Sequence, residues 1–189
     1  MLWYLALIIA VAAVFYLCVP GIGAFLVRTQ WRRFRAAVLD MSLYPTFDPR
    51  LLRGQRNAFI GSYRFFGSLE AIQGDDRVWV TDGSHSAAAE LKNTTVYLLP
   101  ASAGPGRDAA DSELRAVPWS RVYSLPQGTP ILVAGALFGE EGRGVFRASG
   151  GRPPLVVIHD CRREEIMHRV IWGGRQRNEY WNIFTVPSL

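Results

Sequence analysis

"GTPILVAGALFGEEGRGVFRAS", residues 128–149, joins an apolar run to a shorter one through a charged, glycine-rich turn. Ile131 and Val133 stand two apart and alternate with Leu132 and Ala134, the period of a strand with one buried face. Gly139, Gly142 and Gly144 surround the reversal, with Glu140 expected in the solvent-facing turn. The stretch predicts a β-hairpin that closes a small barrel.

Upstream, "AFIGSYRFFGSLEAI" (58–72) is aromatic and β-branched, with Gly61 and Gly67 where a strand can bend or bulge. A turn at Gly74-Asp75-Asp76 leads into Val78, Trp79 and Val80, and Asp82-Gly83 is a favoured hairpin dipeptide. Extended segments, "TTVYLL" among them, run to Pro100, and the polar "ASAGPGRDAADSELRAVP" (101–118) reads as a surface excursion. "WSRVYSLPQG" returns the chain to the core. Downstream, "PPLVVIHD" (153–160) reads as a further buried strand whose prolines predict that it begins at a sheet edge. Six or so short strands with glycine bends predict a small barrel or sandwich rather than a parallel sheet.

The N-terminus is of another kind. "MLWYLALIIAVAAVFYLCVPGIGAFLV" (1–27) carries no charged side chain and exceeds the roughly 20 helical residues that cross about 30 Å of hydrocarbon. No Lys or Arg precedes it and it is too long for a signal-peptide core, while Phe15, Tyr16 and Leu17 are too bulky to precede a lipoprotein cysteine at Cys18. An uncleaved, single-pass transmembrane helix is expected, with Pro20, Gly21 and Gly23 kinking or ending it near the inner boundary. "RTQWRRFR" then places Arg28, Arg32, Arg33 and Arg35 beside the membrane, which predicts that everything after them is cytoplasmic. With Trp31 and Phe34 between them, these residues are expected to form a membrane-interface segment contacting lipid headgroups.

The expected organisation is therefore an anchor over 1–27 and a basic juxtamembrane segment and linker over 28–57, broken by Pro45, Pro49 and Gly54. The barrel follows over 58–160, and a short helix with an arginine and aromatic tail over 161–189. The strand series "FFGSLEAI", "RVWVTDGS", "TTVYLL", "SLPQGTPILVAGALF", "GVFRA" resembles an OB-fold over residues 59–158. The resemblance lies in a bend in strand one, a D-G turn after strand two, and the phrase G-x-x-[IV]-x-V-x-G at Gly128, Ile131, Val133 and Gly135. Pro105, Pro118 and Pro126 make the segment before that hairpin a poor helix, a departure from the OB pattern. With its anchor, the layout resembles the membrane-associated OB domains of NfeD-type proteins and the beside-a-membrane (GIDE) domain of membrane-bound ubiquitin ligases. That resemblance implies interaction or scaffolding rather than chemistry.

Charge narrows the classes further. Residues 28–64 carry a balance of +6, residues 65–141 one of −5, and residues 142–189 one of +4. A nucleic-acid binder shows one broad basic face, which an acidic centre argues against. Cys18 and Cys161, one in the anchor and one outside it, form no disulfide framework.

In the tail, Arg162–Trp172 predicts a helix with Ile166, Val170 and Ile171 on its inner face and Gly173-Gly174 as its stop. "GRQRNEYWN" then gathers Arg175, Arg177, Tyr180 and Trp181, either a structural clasp or a protein-partner site, since Tyr, Trp and Arg dominate interface energetics. The end at "TVPSL" leaves room for a further segment.

Enzyme signatures are fragmentary. His159, Cys161 and His168 are of metal-ligating or hydrolytic type, but their spacing matches no common zinc pattern and no nucleophile elbow is present. Asp82-Gly83-Ser84-His85 is explained by a turn. No cofactor is called for. The expected function is a non-enzymatic, membrane-anchored adaptor that presents its barrel to a protein partner. The alternatives are a membrane-tethered hydrolase or metal enzyme using His159, Cys161 and His168, and single-stranded nucleic-acid binding by the barrel, which would need Phe65, Phe66 and Trp79 exposed beside arginines.

Overall fold

The structure, a computed structural model, describes residues 2–52, 58–92, 94–99, 114–122 and 124–172. They fall into two compact units, Ala36–Met167 and a second one made of Met1–Arg35 with His168–Leu189.

The chain opens as helix α1 (Leu2–Ala13), passes through a π-turn (Val14–Cys18) and continues as α2 (Val19–Ser42). The helical run Leu2–Ser42 is, among the described residues, long and apolar enough to cross a membrane, and its apolar window is exposed on all sides. Of the two outcomes expected at Pro20, Gly21 and Gly23, a kink or an end, the helix does not end there. The wider turn just before the proline takes up the disruption, the Val19 N–H donating to the Val14 carbonyl five residues back.

Among the described residues the unit Ala36–Met167 has eight strands: β1 (Phe59–Gln73), β2 (Arg77–Thr81), β3 (Ser86–Glu90), β4 (Thr95–Leu98), β5 (Arg115–Pro118), β6 (Pro130–Glu140), β7 (Arg143–Arg147) and β8 (Leu155–Ile158), before helix α3 (Arg163–Trp172) begins. They form one sheet in the order β1-β2-β3-β7-β6-β8-β4-β5, and β1 also pairs with β6. The pairings thus run from β1 through β2, β3, β7 and β6 back to β1. β3 and β7 are parallel, and the other neighbours in this circuit are antiparallel.

The expected hairpin is β6 and β7, turned by Glu141 and Gly142 with φ of 49° and 79°. β6 divides one edge between two partners, β8 along Ile131–Ala134 and β7 along Ala136–Glu140. Gly135 stands at the changeover with φ of 152°, and a Cβ there would come within 3.1 Å of the Pro154 Cα. Ile131, Val133 and Leu137 join Phe65, Leu69, Val78, Val80, Ala87, Ala89, Phe146 and Val156 in the core.

Two assignments differ from the sequence reading. The third strand of the circuit is the alanine-rich Ser86–Glu90, not "TTVYLL". Alanine has little intrinsic preference for strands, but Ala87, Ala88 and Ala89 are wholly buried, and small side chains suit a strand with covered faces on both sides. "TTVYLL" instead supplies β4, which runs parallel to β8 and antiparallel to β5. β8 in turn lies between β6 and β4 rather than at an edge. Pro153 and Pro154 precede the strand, so they remove no ladder donor from it.

Residues 42–47 of the stretch read as a linker are integrated into this unit; residues 53–57 of it lie outside the described residues. Arg64 of β1 donates its N–H to the Pro45 carbonyl and accepts the Phe47 N–H, while its Nη1 donates to the Ser42 carbonyl at the end of α2. Phe47 packs edge-on against Phe65 and Phe146 in the core. On the opposite face of β6 and β8, Leu132, Ala134 and Val157 are also buried. There Arg163, at the start of α3, lies 4.2 Å from the Phe66 ring centre and bonds the Thr46 hydroxyl.

Candidate functional site

The second function class depends on His159 and Cys161. His159 follows β8, is buried, and its Nδ1 lies 3.0 Å from the Cys161 carbonyl oxygen. That bond requires Nδ1 to carry the proton, so this nitrogen cannot take one from the Cys161 thiol, whose Sγ is 4.0 Å away. The contact closes the turn between β8 and α3. His168 is exposed, and no group of three potential metal ligands occurs among the described residues.

The aromatic requirement for nucleic-acid stacking is met in part. Phe65 is a core residue. Phe66 and Trp79 are half-buried, and arginines of the same chain already cover their rings: Arg64 and Arg163 at Phe66, Arg143 5.2 Å from the centre of Trp79.

Of the expected membrane-interface residues, Arg28, Arg32 and Arg33 are exposed and Arg35 is half-buried over the Trp31 ring. Trp31 and Phe34 are buried, their rings edge to face at 6.0 Å. The cluster Arg175, Arg177, Tyr180 and Trp181 lies outside the described residues.

One polar cluster escaped the sequence reading. Arg77 bonds Glu90 at 2.7 Å and Glu140 at 3.2 Å, and Arg147 bonds Glu90 at 2.9 Å and Glu140 at 2.6 Å. The four side chains come from β2, β3, β7 and β6 and form a closed, neutral ring of charge-assisted hydrogen bonds. Arg77 is opposite Glu90 in the β2–β3 register, and Arg147 falls beside Glu90 one step beyond the parallel pair Ala89 and Phe146. Glu140 stands two rows away, past Val145 and Phe138. The ring therefore spans the row holding Ala88 and Val145, both sealed from solvent. Glu140 is not a solvated turn residue as expected; the solvent-facing glutamate is its neighbour Glu141.

Burial by itself would raise the Glu90 carboxyl, but hydrogen bonds and charge from Arg77 and Arg147 outweigh it and hold the group below its ordinary value. The Glu90 bond raises Arg77 in turn. A carboxyl lowered on folding stabilises the native state above its unfolded pKa, and that stabilisation is lost as pH falls through the folded one. At one-third exposure, solvent screening keeps the contribution to about 1 kcal/mol or less. In thermal melts of the full chain in detergent, Glu90→Gln should lower the Tm at pH 7 by roughly 2–4 °C. The gap to wild type should close below the ordinary value of 4.5 for this group. A gap that stays the same as acid protonates the Glu90 carboxyl in the folded protein would mean that packing, not charge, holds the ring.

At Asp82, burial favours the neutral acid, but the Ser84 and His85 N–H groups donating to Oδ1 at 2.8 and 2.7 Å hold its carboxyl below the ordinary range. Asp82 and His85 thus form the turn the sequence suggests. Among the described residues, the charges of Arg77, Arg147, Glu90 and Glu140 are matched by one another. Compared with models of protein families the sequence matches none, and a search of curated proteins finds no match.

Proposed function

We propose that this chain is a single-pass membrane protein whose sheet unit is an OB-like barrel that docks a protein partner at the cytoplasmic surface, without chemistry of its own. The observation that carries the reading is the helical run from Leu2: its apolar window is exposed on every side, a large cost in water that lipid removes, and the exposed Arg28, Arg32 and Arg33 follow it. The circuit of pairings through β1, β2, β3, β7 and β6 supports the OB-like reading, and with it the likeness to NfeD-type and GIDE domains. The bond of His159 to the Cys161 carbonyl weighs against a hydrolase there, and the arginine-covered Phe66 and Trp79 weigh against base stacking.

Cys161 is too buried to report topology, so the test uses Gln127→Cys in an exposed turn. An impermeant maleimide should label position 127 only after cells are opened, and the protein should stay with membranes through alkaline extraction. A stoichiometric protein partner should then be recovered from solubilised membranes by wild type and lost with Arg177→Ala and Trp181→Ala combined, at an unchanged Tm. Labelling in intact cells overturns the topology. Loss of partner only in step with loss of folding overturns the tail as the docking site.

A further inference from the structure

Near the middle of the apolar helix, the Tyr16 phenol and a gap in the backbone hydrogen bonding lie at the same depth. Trp3 and Tyr4 stand at its start, where an interfacial aromatic belt belongs, but Tyr16 stands twelve residues before Arg28, about 18 Å along the axis and so near the middle of a roughly 30 Å hydrocarbon layer. Its ring is half exposed. In the π-turn the Val19 N–H donates to the Val14 carbonyl, which takes from Phe15 its donor four residues on. The donor five residues on would be Pro20, which has no N–H. The Phe15 carbonyl thus lacks both helical partners, while the neighbouring Tyr16 phenol has a proton to donate. In lipid, each of these groups is costly unless paired. Tyr16 and Pro20 are four apart, so the phenol and the gap share a side of the helix. A shallow apolar groove lined by Leu7, Ile8, Val11, Ala12, Phe15 and Tyr16 runs along the helix to the same place.

We propose that the membrane helix pairs with a second copy of itself, each Tyr16 hydroxyl donating to the Phe15 carbonyl of the other, with the groove seating the apolar contact. A second copy is the occupant because the site is self-complementary: donor and acceptor are adjacent on one helix. Copies inserted in one direction bring both to the same depth. The inference rests on the membrane-anchor reading of this helix.

The test is energy transfer between donor- and acceptor-labelled full-length chains in phosphatidylcholine vesicles, titrated over the protein-to-lipid ratio. Wild type should associate reversibly. Tyr16→Phe, which removes the donor, and Pro20→Ala, which restores the missing N–H, should each weaken association roughly three- to tenfold, the range of interhelical hydrogen bonds in lipid. The double variant should be no weaker than the worse single one, because both changes break the same bond. A monomeric wild type overturns the proposal, as does association insensitive to Tyr16→Phe, in which case water or another helix serves the phenol. Alkaline extraction of the same vesicles separates the two failures: protein that is not inserted refutes the anchor, whereas inserted but unpaired protein refutes only the pairing.

Discussion

Val133→Asp should abolish the cooperative melt of the sheet unit. Val133 is 1% exposed in the middle of β6, between Phe65 of β1 and Val156 of β8 in register. The substitution removes about 1.5–3 kcal/mol of apolar burial and places a carboxylate among hydrocarbon side chains, at a further cost of several kcal/mol. Together these rival the whole stability of about 5–15 kcal/mol expected of a domain. Near-ultraviolet circular dichroism of the full chain in detergent should lose its aromatic signal at 25 °C. The control is Glu141→Gln, on the exposed turn a few residues on, which should melt as wild type does. A Val133→Asp protein with a wild-type melt would remove β6 from the core.

The second large effect is expected at Gly67, where β1 passes from pairing with β6 to pairing with β2. A Cβ on Gly67 would lie 2.5 Å from the Thr81 carbonyl oxygen and 2.8 Å from a Val80 methyl. The nearest of these atoms is backbone inside a paired strand, so it cannot swing aside. Gly67→Ala should cost about 2–4 kcal/mol, at or above the upper end of overpacking substitutions, and lower the Tm by roughly 5–15 °C. Gly67→Val should leave no folded protein. Gly74→Ala is the comparison: its φ of 63° strains an alanine, but no atom lies within 4 Å, so the cost should be about 1 kcal/mol. Equal melts for Gly67→Ala and Gly74→Ala would show that β1 bends elsewhere.

The apolar run, the arginines after it, the β6–β7 hairpin and helix α3 were legible because each is a local pattern. Their cues are an uninterrupted hydrophobic length, a two-residue alternation about a turn, and Ile166 and Val170 four apart, both buried as expected. The same locality explains what was left open and what was misread. Pro20 signals a local disruption, which left a kink and an end both open; that the helix continues through a π-turn depends on the hydrogen bonds of the preceding turn. "TTVYLL" has the stronger strand composition, and the alanines of β3 became a strand through burial against β2 and β7, which composition does not encode.

By itself, then, the sequence determined which segments avoid water and where the chain reverses, since both follow from side chains near one another along the chain. Only the tertiary structure decided the rest. Arg77 could be aligned with Glu90 from one hairpin, but their bonds to Arg147 and Glu140 depend on the parallel contact of β3 with β7, which joins strands more than fifty residues apart. Pairing between distant strands is chosen by the burial it completes for the whole unit, and that sum is not written in any single segment.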